Sequence, residues 1–188
     1  SHPTPPTFDG LDDHNGIRNH DEIAFWAKYV DPAKSSFAYD DKGRRGGLGA
    51  GANFVIAGDQ NADPVDGDSY ENAIQQLLTS RYIRDPKPSS KGAVEDSRIE
   101  NAEKPDNNKG NPKYDTGDFG TPPGNLRIDY VLPSKNLKVR STGVFWPKLS
   151  DPDSWLYEPY TDPATGKQAV LSDHHPVWLT VNPGRCGH

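Results

Sequence analysis

One cysteine in 188 residues is the first constraint. A lone Cys186 excludes an intrachain disulfide and any thiolate-rich zinc site. Its setting, Gly184-Arg185-Cys186-Gly187-His188, reads as a free thiol in a tail, with an intermolecular disulfide as the alternative. Long apolar runs are missing too. Nothing approaches the roughly 18 consecutive apolar residues of a spanning helix, so no membrane insertion is expected. Positive charge is scarce: 21 Lys and Arg stand against 27 Asp and Glu, a net charge of −6. That balance supplies no global attraction for DNA or an anionic membrane and argues against a sequence-specific DNA binder. A nuclease survives the argument, because bound divalent cations reset the local field of a cleft. Apolar residues make up only 32%, with 18 Gly and 18 Pro, so extensive loops and a modest core are expected in a chain of single-domain length. No internal repeat is present. The glycines from Gly43 to Gly51 lead into a strand and no Gly-Lys-Ser/Thr follows, so they read as a flexible connector and not a phosphate loop.

The remaining pattern alternates between helix and strand. His2-Pro3-Thr4-Pro5-Pro6 is extended or turning chain, and polar loop continues to Arg18. Asn19 with Glu22 three residues on makes a capping-box start, and Ile23, Trp26, Ala27 and Val30 share one helical face before Asp31-Pro32 stops it. A strand is expected at 53–57. A second helix starts near Ser69, with Asp68 and Glu71 in its first turn and Ala73, Ile74, Leu77 and Leu78 as its buried face. Residues 84–125 form a long polar insertion, almost without large apolar side chains, that is either functional or poorly ordered. Strands return at 126–132, 137–145 and 176–181. In the first of these, Leu126, Ile128, Tyr130 and Leu132 alternate with Arg127, Asp129 and Val131. Residues 147–170 cross the surface as a loop in which Trp155, Tyr157 and Tyr160, with Trp146 before them, pack against the domain or stack on a base or sugar.

Chemistry gathers where apolar strands meet loops. Gly58-Asp59-Gln60-Asn61 closes the run Phe54-Val55-Ile56-Ala57, and Ser172-Asp173-His174 opens the run from Pro176 to Val181. Asp129 stands in mid-strand between them. Each alone has an ordinary explanation as a turn, a cap or a satisfied strand carboxylate. Together, carboxylate, amide and imidazole are what a metal-assisted attack on a phosphate requires. Asp59-x-Asn61-x-Asp63 also begins like a calcium loop. Pro64 occupies the position of the turn glycine, Tyr70 stands where the bidentate Glu belongs, and a strand precedes, so an EF-hand is rejected. Calcium held by Asp63, Asp66 and Asp68 stays open.

Gly58-Asp59-Gln60-Asn61-Ala62-Asp63, Leu126-Arg127-Ile128-Asp129-Tyr130-Val131-Leu132 and Leu171-Ser172-Asp173-His174-His175-Pro176-Val177, in that order, resemble the endonuclease/exonuclease/phosphatase superfamily, the DNase I-like and exonuclease III-like fold. His2-Pro3-Thr4-Pro5-Pro6 and the helix after it resemble the histidine segment of the DNase I branch. More closely, the chain resembles the C-terminal part of large bacterial, often exported, members. The resemblance implies an α+β fold: the C-terminal half of a four-layer α/β/β/α sandwich, mostly antiparallel sheet with flanking helices and long loops. It spans 1–181, with 182–188 as a tail. The implied roles are residue by residue. Asp59 orients or deprotonates the attacking water and contributes to metal binding. Asn61 hydrogen-bonds a phosphoryl oxygen, and Asp129 fixes the tautomer of His174. Charged His174 stabilises the developing phosphate charge. Asp173 holds the metal directly or through water, and His2 donates to the phosphate or the leaving group. His175 receives no role.

The resemblance also implies partners. The family's first half supplies an Asn and a metal-ligating Glu that find no match in this sequence, and Glu22 cannot substitute from within a helix. A missing N-terminal half, or another chain, is therefore expected to cover an exposed sheet face. The expected function is a divalent-metal-dependent phosphoesterase hydrolysing phosphodiesters, DNA or RNA being the default substrate. A phosphomonoesterase for sugar or inositol phosphates is one alternative, and a catalytically incomplete fragment with a binding or assembly role is the other. Oxygen-rich ligation points to Mg²⁺, with Mn²⁺ or Ca²⁺ as alternatives. The resemblance favours an extracytoplasmic or secreted location.

Overall fold

A computed structural model describes residues 1–168 and 171–182; the tail with Cys186 lies outside the described residues. Helix α1 (His14–Tyr29) buries Ile23 and Ala24, with Val30 just past its end, while Trp26 and Ala27 pack at the margin. Its apolar face is the expected one, but its start is not. The helix begins before Asn19, with Asp9 Oδ2 accepting from Asn15 N at 2.6 Å in place of a cap from Asn19. Asn19 is instead fully buried in mid-helix, and its Nδ2 donates to Thr4 O and Gln60 O, both at 2.9 Å. Glu22 accepts from Thr4 N at 2.6 Å. The Asn-x-x-Glu pair thus serves as a tertiary brace for the chain before the helix, which removes the capping-box reading.

Strand β1 (Val55–Asp59) follows a segment that is hydrogen-bonded, contrary to the flexible connector expected. Tyr39 bridges Arg45, Gly46 N donates to Ala38 O, and Leu48 N donates to Tyr29 O. The expected second helix shrinks to a single turn, α2 (Gln75–Leu78), because Glu71 and Asn72 take positive φ. Ala73, Ile74 and Leu77 are nonetheless completely buried. With Ile23, Ile56, Ile83, Tyr130 and Leu132 they form the main core. Each such fully buried large apolar side chain contributes about 1.5–3 kcal/mol.

The polar stretch 84–125 is ordered and carries helix α3 (Gly92–Glu103), with Ser90 Oγ accepting from Ala93 N at 3.1 Å. Gly92 lets this helix approach closely: a Cβ there would lie 2.2 Å from Trp146 O. Strands β2 (Gly117–Asp118) and β3 (Asn125–Leu126) then pair antiparallel. The single strand expected over 126–132 is interrupted. Arg127 N donates to Asp63 Oδ2 at 2.7 Å, and Ile128 N donates to Thr116 Oγ1 at 3.0 Å, so both leave the ladder. Strand β4 (Asp129–Pro133) resumes it and pairs with β1, while β5 (Lys138–Val144) pairs with β6 (Val177–Asn182).

Helices and three two-stranded antiparallel pairs make a mixed α+β architecture among the described residues. Asp63 also accepts from Val65 N and Asp66 N, and Asp66 accepts from Lys109 N and Gly110 N. Their oxygens tie loops together, which displaces the calcium reading of Asp63, Asp66 and Asp68. Tyr130, fully buried, donates its hydroxyl toward both Ala62 O and Arg127 O, at 2.9 and 2.8 Å. Arg127 forms a two-pronged, buried pair with Asp85, at 3.0 and 2.6 Å. Of the loop aromatics, Trp146 and Tyr157 pack, whereas Trp155 and Tyr160 stay largely exposed. No helix among the described residues is long and apolar enough to cross a membrane.

Candidate active site

The register of β1 against β4 sets Asp59 directly opposite Asp129 at the end of the pair. Two carboxylates so placed repel each other, and both side chains are more than four-fifths buried. Something must balance them. His174 comes in on a segment bridged to Gly117, and its Nδ1 lies 3.0 Å from Asp129 Oδ2. Its Nε2 is turned toward Asp59 Oδ2 at 3.9 Å and Asp173 Oδ1 at 3.8 Å. His2 Nε2 stands 3.5 Å from the same Asp59 oxygen. Residues from four distant stretches of the chain thus converge on one point.

The electrostatics follow from that geometry. Burial pushes the Asp59 carboxyl above the usual carboxylate range, and Asp129 adds to the effect. The hydrogen bond from Asn61 N, at 2.6 Å, and the two imidazoles oppose it. For His174, burial alone would lower the pKa. The hydrogen bond and charge of Asp129, with the charges of Asp59 and Asp173, together outweigh it and hold the imidazole above its ordinary value. The charged form is thereby favoured relative to an unpartnered imidazole.

Asn61 occupies the left-handed region at φ 48°, in the turn that Asp59 closes. Its side-chain Nδ2 donates to Pro3 O at 3.0 Å, so the amide that should meet a phosphoryl oxygen is engaged by the segment carrying His2. Gly58 explains how that segment comes so near. It has φ 135°, and a Cβ there would lie 2.0 Å from Ser1 O. Asp173 remains well exposed.

Two residues that the sequence pattern did not single out complete the site. Thr116 is fully buried, donates from Oγ1 to Asp129 Oδ2 at 2.9 Å, and accepts from both Ile128 N and Asp129 N. One donor and two lone pairs are all used, so this hydroxyl fixes the Asp129 carboxylate from behind. Phe119 sets its ring edge-on to His174, with centroids 5.6 Å apart. Both lie in the polar stretch, where no periodicity marks an inward-facing residue; Asp115-Thr116 before a glycine was the only signal. His175 stacks flat on Trp146 at 3.6 Å and is nearly buried, which pushes its pKa down to about 4.

The donor set fits a hard divalent cation. One ligand atom each from Asp59, Asp129 and His174 lie within 4.8 Å of one another, and Asp173 flanks them. Asp129 Oδ2 already serves Thr116 and His174, so Asp59 and Asp173 are the residues that would hold the ion.

Comparison with known proteins supplies a family. The model of the Endonuclease/Exonuclease/phosphatase family matches residues 3–174, from the residue after His2 through His174. No protein with a curated description and no solved structure matches the chain. A match over so much of the chain, ending on the very histidine that meets Asp129, shows that the chain belongs to the endonuclease/exonuclease/phosphatase family.

Proposed function

We propose that the site performs divalent-metal-dependent hydrolysis of phosphodiesters, with nucleic acid as the substrate. The convergence of Asp59, Asp129 and His174 carries this reading, because it sets a proton acceptor and a charged donor on opposite sides of one small space. Asp59, its carboxyl raised by burial, accepts the proton of the attacking water. His174, kept charged by Asp129, donates to the phosphoryl oxygen on which negative charge develops. Asp129 holds the tautomer and orientation of His174, and Thr116 holds Asp129. Asn61 donates to a second phosphoryl oxygen once its amide leaves Pro3 O, and His2 protonates the leaving oxygen. Asp59 and Asp173 would hold a divalent cation, Mg²⁺ by preference, which would supply Lewis-acid polarisation of the phosphate.

The same reading takes the chain as the C-terminal portion of a four-layer sandwich, with the family's Asn and Glu carried by other polypeptide. Exposed Val55 and Trp178 on β1 and β6 support it, as surfaces for that polypeptide to cover.

The test is hydrolysis of bis-nitrophenyl phosphate, DNA and RNA by the purified protein, in Mg²⁺, in Mn²⁺ and in EDTA. Chelator should abolish turnover, and His174→Ala should lower it by about 10²–10⁴-fold. Turnover indifferent to both chelator and His174→Ala would refute the proposal.

A further inference from the structure

A second group of acids gathers where α3 meets β2. Asp96 and Glu100, one turn apart on α3, face Asp118 of β2, and one oxygen of each lies within 4.8 Å of the others. Among the described residues no Lys, Arg or His forms an ion pair with any of the three. Three uncompensated carboxylates at that spacing repel one another.

An independent observation comes from Asn125, which is 97% buried, its relative exposure being 3%. It pairs directly opposite Asp118 across β2 and β3, so both side chains stand on the same face and Asn125 points into the acidic group. Its Nδ2 donates to Asp96 Oδ2 at 2.8 Å, while its Oδ1 is buried with no donor. Glu100 Oε2 is likewise shut away from solvent and unpartnered. A buried amide oxygen and a buried carboxylate oxygen without donors, beside two more carboxylates, are acceptors awaiting a cation.

We propose that Asp96, Glu100 and Asp118, with the Asn125 amide oxygen, form a calcium site that clamps α3 to the β2–β3 pair. All donors are oxygens, which selects a hard cation. Separations up to 4.8 Å are spanned by an ion with roughly 2.3–2.6 Å bonds, whereas Mg²⁺, at about 2.0–2.1 Å, requires a tighter, near-octahedral set. The site is distinct from the Asp59 centre, yet it is coupled to it through β2. Asp118 N donates to Asp173 O at 2.8 Å, and Gly117 bridges His174. A cation here therefore steadies the strand against which the Asp173–His174 segment is laid. It also neutralises one wall of a cleft of about 430 Å³ that Asp96 and Asp118 share with Asp173 and Trp146.

The chain is stripped with EDTA, and its thermal unfolding is followed with CaCl₂ or MgCl₂ added alone. Calcium should raise Tm by at least about 3 °C, and magnesium by less. The rise should disappear in the Glu100→Gln/Asp118→Asn variant and persist in Asp59→Asn/Asp173→Asn, which removes the other cation-binding group. Tb³⁺ bound to the wild-type chain should luminesce on excitation of tryptophan, and Trp146→Phe should lower that emission several-fold. This second readout decides the matter if the double variant does not fold. No calcium-dependent rise in the wild type overturns the site, as does a rise that survives Glu100→Gln/Asp118→Asn. A rise lost in Asp59→Asn/Asp173→Asn assigns the ion to the other centre. Tb³⁺ emission indifferent to Trp146→Phe overturns the location. In each of these cases Glu100 and Asp118 share only a proton.

Discussion

Replacing Thr116 by Val removes one hydroxyl and almost nothing else. The two side chains have nearly the same volume and branching, so the fully buried cavity stays filled. What is lost is a complete set of three hydrogen bonds. Ile128 N and Asp129 N become buried donors without acceptors, and Asp129 Oδ2 loses one of its two donors. Each unsatisfied buried group costs about 1–3 kcal/mol, so two of them place the loss at about 2–6 kcal/mol. That is a large fraction of a typical domain's stability of about 5–15 kcal/mol. Thr116→Ser keeps the hydroxyl and gives up one methyl, at about 1 kcal/mol. The expected order of stability is therefore Thr, then Ser, then Val, read as urea midpoints by circular dichroism with an unchanged slope. Val equal to or above Ser would show that the hydroxyl does not hold Asp129, and the account of how the site is supported would fail.

Asp129→Asn should lower the pKa of His174 relative to the wild type, since the carboxylate whose hydrogen bond and charge oppose burial is lost; imidazole NMR titration measures it. His175, pushed down to about 4, stays neutral in the fold where the unfolded chain is protonated. Stability should therefore fall as pH drops from about 6.5 toward 4, by on the order of 2–3 kcal/mol, and His175→Phe should flatten the difference in Tm between pH 7 and pH 4.5. Arg127→Leu strands the buried Asp85 carboxylate and should cost about 3–5 kcal/mol by urea denaturation, with Asp85→Asn in the same chain recovering part of it.

Strand ends proved legible because both the apolar runs and the motifs they carry are local. Phe54 to Ala57 and Tyr130 to Leu132 announce two strands, and the acidic residue at each end follows from where those runs stop. That Asp59 and Asp129 face each other depends on register, which no local pattern states. Helix α1 was displaced for a different reason. Asn19 and Glu22 have the spacing of a cap, but both are consumed by Thr4, a partner that only the folded chain supplies. Helix α3 was hidden because its contact is made by Gly92 and Ala93, whose burial leaves no stripe of large side chains. Thr116 is the extreme case, since its importance lies wholly in three partners that are 12 or 13 residues away.

The tyrosine hydroxyl shared between Ala62 O and Arg127 O has a mechanical consequence. It ties the turn after β1 to the break before β4, and Asp63 joins the same two segments through Arg127 N. The strand ends bearing Asp59 and Asp129 therefore behave as one anvil: neither can move without the other. His174 arrives on a short approach fastened by the Gly117 bridge and by Ser172 Oγ, which accepts from His174 N at 3.1 Å. Whatever accommodation a substrate demands falls on that approach and on the His2 segment, so differences in fit among substrates should be recorded in residues 1–5 and 171–174, with the anvil left unchanged.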